Sequence, residues 1–136
     1  MERSEVEAVV RGVLESIGTA DADAFAEHLS NESDVVLIGT DAKEWWRGRD
    51  EVSAAVRAQF AATPGMRVDV RSTDLEGHSS GDVGWAAGRA RFEVPHGASN
   101  EIRFTAVLRR EGGGWKVVQA HSSLGVPNDE AFGVDF

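Results

Sequence analysis

The sequence predicts an α+β fold in which helices come first and an antiparallel sheet follows. Three observations carry this. Apolar residues recur at helical spacing through the N-terminal half, whereas from Met66 onward four β-rich stretches succeed one another with only turns between them. The last stretch is the most informative. A Gly112-Gly113-Gly114 turn leads into the β-branched strand Trp115-Lys116-Val117-Val118-Gln119-Ala120, which ends in His121-Ser122-Ser123.

From Ser4 to Gly18, residues Val6, Val9, Val10, Val13, Leu14 and Ile17 hold the i, i+3, i+4, i+7 spacing of one helical face. Ser4 with Glu7 forms a capping box, and Gly18 is the stop. A second helix runs from about Ala22 to Leu29 with Asp21 as its cap. Asp34-Val35-Val36-Leu37-Ile38 reads as a short buried strand that ends at Gly39. After the polar segment Thr40 to Gly48, helical spacing returns in Val52, Ala55, Val56, Gln59 and Phe60, with Asp50 and Glu51 where the helix dipole favours acids. Pro64-Gly65 ends that third helix.

The four expected strands are Met66 to Leu75, Val83 to Val94, Glu101 to Arg110 and Trp115 to Leu124. Short turns between them imply antiparallel pairing, and strands of this length curl, with Gly84 and Gly88 permitting the bend. Ile102, Phe104, Ala106 and Leu108 share one face of their strand, and Arg103, Thr105, Val107 and Arg109 the other. Gly84, Ala86, Gly88 and Ala90 likewise oppose Trp85, Ala87, Arg89 and Arg91. The segment from Gly125 to Phe136 is acidic yet carries Phe132 and Phe136, which predicts loose docking.

The 136 residues, 41% of them hydrophobic, suit one domain covering 1–136 with its own core. With no cysteine, the chain has no disulfide, zinc-thiolate site, iron-sulfur cluster or cysteine nucleophile. The opening residues lack a basic stretch with an apolar h-region, and no apolar run approaches the roughly 20 residues that span a bilayer. These features predict a soluble cytoplasmic protein. A net charge of −9 disfavours nucleic acid and anionic membranes as partners.

Helix, helix, strand, helix and four antiparallel strands is an order that resembles the nuclear transport factor 2-like superfamily, which includes ketosteroid isomerase and the SnoaL-like proteins. The residues that carry the resemblance are Gly39-Thr40-Asp41, Gly48-Arg49-Asp50 and the closing Gly114 to Ser123 stretch. The last is most similar to the SnoaL-like branch related to the calmodulin-dependent kinase II association domain. The resemblance implies a cystatin-like α+β roll: a cone-shaped curved antiparallel sheet wrapped around three N-terminal helices. It also implies a pocket at the cone's wide end and a homodimer formed through the sheet.

Asp41 follows the apolar strand and precedes the third helix, a position resembling that of the isomerase's general base. Apolar neighbours such as Trp45 and Trp46 raise a carboxylate's pKa and offer a stacking surface, whereas a solvated turn is the other reading of Asp41. The chain has no tyrosine, so the isomerase's Tyr-based oxyanion hole does not carry over; His121, Trp85 or a serine are the substitute donors. His121 is either an inward acid-base or hydrogen-bonding group or an outward one at a subunit interface. Trp115, six residues earlier, is assigned to the same face.

Arg89, Arg91, Arg103 and Arg109 lie on two adjacent strands and form either a small-acid site or cross-strand pairs with Glu93, Glu101 and Glu111. The scattered His28, His78, His96 and His121 argue against a metal, and nothing in the sequence calls for a cofactor. No Gly-x-Ser-x-Gly elbow supports a hydrolase, and Gly112-Gly113-Gly114 joins two strands, so it is a hairpin and not a phosphate loop. Two functions follow as expectations. One is a pocket protein for a small organic molecule, of the cofactor-independent proton-transfer kind, with Asp41 and His121 catalytic and Trp45, Trp46, Trp85, Arg89 and Arg103 binding the ligand. The other is a homodimeric association module without catalysis.

Overall fold

The computed structural model describes residues 2–70 and 73–136. Helix α1 (Glu2–Gly18) starts upstream of Ser4, whose side chain lies outside the described residues, so the expected cap sits inside the first turn. Its predicted stripe is the buried one: Val6, Val10 and Leu14 are buried, and Val9, Val13 and Ile17 pack beside them. Helix α2 (Ala22–Glu27) is capped by Asp21, whose carboxylate accepts from the Ala24 N–H at 3.0 Å. Leu29, expected in that helix, instead bridges to Val117 beside a Ser30 N–H to Val117 carbonyl bond of 2.9 Å. Helix α3 (Arg49–Ala62) buries Val52, Val56 and Phe60.

The strands are β1 (Val36–Ile38), β2 (Trp45–Arg47), β3 (Arg67–Val68), β4 (Asp74–Ser80), β5 (Val83–Glu93), β6 (Ser99–Glu111) and β7 (Gly114–Leu124), and a short helix α4 (Asn128–Phe132) follows. They form one curved, unclosed sheet in the order β2-β1-β7-β6-β5-β3, with β4 also on β5. Among the described strands every pairing is antiparallel except β1 with β7, which is parallel and joins elements separated by β2, α3 and β3 to β6.

Three elements differ from expectation. Strand β2 arises in the polar segment Thr40 to Gly48, because Trp46 buries its ring against the core while β2 pairs with β1. Helix α4 forms in the segment expected to dock loosely, although Phe132 and Phe136 stay exposed and contact each other at 5.5 Å. The single strand expected from Met66 to Leu75 is divided into β3 and β4, and Thr73 donates to the Asp69 carbonyl at 2.8 Å across the break. Arg71 and Ser72 lie outside the described residues.

The two faces of β5 and β6 fall as the alternation predicts, with Ala86, Ala90, Ile102, Ala106 and Leu108 buried. Small side chains on that inner face let other groups approach closely. A Cβ on Gly88 would stand 2.8 Å from the Phe104 ring, and one on Gly84 would stand 2.9 Å from Val6 on α1. These glycines therefore serve contact on the concave side, which is what a bent strand packed on helices requires.

Strand β7 breaks the simple alternation. Leu108 pairs with Val117 but Val107 pairs with Gln119, so Val118 is the extra residue of a β-bulge. The bulge reverses the faces beyond it: Trp115 and Val117 are buried, whereas His121 emerges on the outer face. The shared face expected for Trp115 and His121 is corrected by this one inserted residue.

A charged network ties the Ser30 turn to β6. Buried Ser30 donates to Glu111 and accepts from Arg109 at 2.9 Å and from the Glu32 N–H at 3.1 Å. Arg109 also grips Asp34 through two bonds of 3.1 Å and Glu111 through one of 3.1 Å. The Arg109 hydrogen bond lowers the pKa of Asp34. Partial burial pushes Glu111 up, but bonds from Ser30, the Asn31 N–H and Arg109 outweigh it and leave its pKa lowered. Both carboxyls are more acidic folded than unfolded, so their stabilisation is full above the unfolded values of 3.8 and 4.5 and is lost as pH falls through the lower folded ones. Thermal melts followed by circular dichroism from about pH 5 to about pH 3 are expected to show a falling midpoint, and a shallower fall in Arg109→Met.

Candidate functional site

Between the concave side of the sheet and the helices lies a cavity of about 250 Å³. Its walls are apolar: Val10 and Leu14 of α1, Val56 and Phe60 of α3, Leu37 of β1 and Ala120 of β7 are among them. Trp46 joins this lining, since the register Trp46–Leu37–Ala120 places the three side by side on the inner face. Most polar lining residues come from strand and helix ends: Thr40 just after β1, Glu44 just before β2, Gln59 and Thr63 around the end of α3, and Ser122 near the end of β7, with Thr105 in the middle of β6.

Glu44 is the charged residue among the described residues that line this cavity. It is half-buried and held from two sides: Oε1 accepts from the Asp41 N–H at 2.9 Å, and Oε2 accepts from Gln59 Nε2 at 2.6 Å. Gly39 makes room for it. A Cβ at Gly39 would lie 2.9 Å from the Glu44 Cβ and would overlap its carboxylate. Gly39→Ala is therefore expected to displace Glu44 and cost about 1–3 kcal/mol, measurable as an earlier transition in urea denaturation.

The residues singled out from sequence divide among three places. Asp41 is exposed in the turn between β1 and β2, where its carboxylate accepts from the Lys43 N–H at 3.0 Å and its backbone supports Glu44. Trp45 and Trp46 point to opposite faces of β2; Trp45 is 54% exposed with the Arg47 guanidinium 5.5 Å over its ring. Trp85, Arg89, Arg103 and His121 are on the outer face of the sheet, away from the cavity.

That outer face holds a shallow depression of about 520 Å³ across β4 to β7, lined by Arg89, Arg103, His121 and Ser123 with Asp74 and Glu76. Arg89 pairs with Asp74 at 2.8 Å, and Arg103 donates to Ser123 at 3.2 Å. Arg91 donates to Ser99 at 3.1 Å; of the three expected glutamate partners, Glu111 forms an ion pair with Arg109 and Glu101 acts on Arg89 through its charge. Trp85 stacks on His78 with ring centres 6.1 Å apart.

Sequence reasoning passed over Glu44 in favour of Asp41. The signal was present as the spacing Asp41-x-x-Glu44, the pattern in which an acid three residues on reaches back to a backbone N–H. Here that arrangement folds an isolated turn and brings the second acid, not the first, to the cavity.

A curved, unclosed sheet with helices packed against its concave side and a cavity between them defines the nuclear transport factor 2-like, or cystatin-like, class. Within it, the chain belongs to the SnoaL-like domain family, whose sequence profile matches residues 6–127. Its fold is similar to that of a candidate dehydratase of the nuclear transport factor 2-like family from Streptomyces avermitilis (TM-score 0.82, 18% identity, 92% of this chain and 96% of that one). It is also similar to a nuclear transport factor 2-like protein of unknown function from Pseudomonas putida KT2440 (0.79, 20%, 90% and 85%). A third similar structure is a candidate calcium/calmodulin-dependent protein kinase type II association domain from Thiobacillus denitrificans (0.77, 21%, 88% and 94%). No curated protein matches the chain in sequence. Among the described residues, no helix is long and apolar enough to cross a membrane.

Proposed function

We propose that this protein binds a small, largely apolar organic molecule in the interior cavity, with Glu44 facing the polar end of the ligand. The observation that carries this reading is an apolar-walled space of about 250 Å³ beside a half-buried carboxylate. A cavity of about 150 Å³ takes benzene, so this one suits a molecule of roughly ten non-hydrogen atoms. A carboxylate in such a place is also a general base: it takes a proton from the bound molecule and returns it elsewhere, the step shared by isomerisations and cyclisations. In this reading Glu44 replaces Asp41 as the proton acceptor, and His121 takes no part.

The experiment is a two-dimensional amide NMR titration with 2-phenylethanol, a neutral probe. Saturable shifts centred on Leu37, Trp46 and Ala120 support the reading. An absence of shifts, or shifts confined to Arg103 and His121 on the outer face, overturns it.

A second reading concerns that outer face. Val83 is 48% exposed and Trp85 44%, and Val107 lies beside them on β6. Apolar side chains grouped this way favour a second copy of the chain as their cover, giving a homodimer that leaves both cavities free. Light scattering of Trp85→Glu tests it: a dimer that becomes a monomer supports the reading, and a wild-type monomer at all concentrations refutes it.

A further inference from the structure

We infer that the cavity selects a small primary amine, bound as its ammonium ion against Glu44, and rejects organic acids. This rests on the proposed use of the cavity as a binding site and adds the chemical class of its occupant. The first argument is the charge of the lining. Among the described residues around the cavity, Glu44 is the charged side chain, and no lysine, arginine or histidine joins it.

The arginines that would welcome an acid are on the wrong side of the sheet. Arg103 lines the outer depression and not the cavity, and it bonds Ser123 there. Arg89 stands opposite Arg103 in the register and is paired with Asp74 on the same outer face. A carboxylate ligand in the cavity would meet Glu44 with no cation to offset the repulsion or the lost hydration.

The second argument is acceptor capacity. Each carboxylate oxygen offers two lone-pair directions. The Asp41 N–H occupies one on Oε1 and Gln59 Nε2 one on Oε2, so each oxygen keeps one. An ammonium has three donors: two can reach these positions, and the hydroxyls of Thr40 and Ser122, also at the lining, are acceptors for the third. Gln59 and the Asp41 N–H fix the carboxylate before the ligand arrives, so little ordering is left to binding. An alcohol offers one donor and no charge. A net charge of −9 further enriches cations around the protein.

Calorimetric titration with phenethylamine, 2-phenylethanol and phenylacetate separates the possibilities, because the three share a ring and differ in the polar end. Phenethylamine is expected to bind at least about tenfold more tightly than the alcohol, with phenylacetate showing no heat of binding. Glu44→Gln should remove the amine's advantage, leaving amine and alcohol alike in affinity within the variant, and a cooperative thermal melt shows that the variant is folded. An alcohol as tight as the amine, binding of phenylacetate, or an amine preference that survives Glu44→Gln overturns the inference while leaving the cavity reading intact. Failure of all three probes to bind overturns the cavity reading, and the inference with it.

Discussion

Trp115→Ala is expected to cost about 3–5 kcal/mol of stability, the largest loss of any single truncation considered. Trp115 begins β7 on the inner face and is 4% exposed. Its ring packs under α1, beside the space over Gly84 that Val6 shares, and the Arg110 guanidinium lies 4.4 Å over it. Its indole Nε1–H donates to Glu5 at 3.3 Å, linking sheet and helix by a polar bond as well as by packing. Truncation removes all of this at a place where helix and sheet are both rigid and collapse poorly. Urea denaturation should show a lower midpoint with an unchanged slope. Trp115→Phe, which keeps a ring but loses the bond to Glu5, should lose less, about 1–2 kcal/mol. A loss below about 1 kcal/mol in the alanine variant would show that the ring does not hold α1 to the sheet.

Ala120→Leu is expected to abolish binding in the cavity without weakening the fold. Ala120 sits between Leu37 and Ala106 on the inner face and lines the cavity directly. Three added carbons, each needing about the ~30 Å³ that a water molecule takes in the liquid, consume roughly a third of the space. The space left is close to the roughly 150 Å³ that holds a bare benzene ring, so 2-phenylethanol, with a two-carbon arm and a hydroxyl beyond its ring, has too little room. Because the new atoms enter an apolar void, each gains up to about 0.8 kcal/mol on burial, so the thermal midpoint should hold or rise. Amide NMR with 2-phenylethanol reads the loss of binding, and a melt reads the stability. Unchanged affinity in a folded Ala120→Leu protein would mean that the ligand binds elsewhere. Ala120→Val offers the same test with a smaller insertion.

The parts of the fold that were legible in the sequence are those in which one period persists over several turns or many alternations. Val6, Val10 and Leu14 define α1, and Ile102, Ala106 and Leu108 define the inner face of β6, because burial acts on each repeat in the same way. Strand β2 was hidden because three residues are too few to show a period, and the adjacent Trp45 and Trp46 differ only in which side of the sheet they meet. His121 was misplaced by the bulge at Val118, since a single unpaired residue leaves composition unchanged yet exchanges both faces beyond it. The candidate site suffered most. Asp41 and Glu44 are three residues apart on one turn, and which of them reaches the cavity depends on Gly39, a contact set by the pairing of β1 with β2.

The parallel pairing of β1 with β7 has a consequence for how the protein is made. Val36, Leu37 and Ile38 hydrogen-bond across to the Gln119–His121 stretch, and Leu29 meets Val117 beside them. The wall that carries Leu37 and Trp46 can lean on α3, but its other edge has no strand to pair with until β7 has been synthesised. Such distant pairings are slow to form because a long loop must close before any bond rewards it. During translation the helices and β1 wait with apolar surface uncovered, and the cavity is the last part of the molecule to acquire its shape.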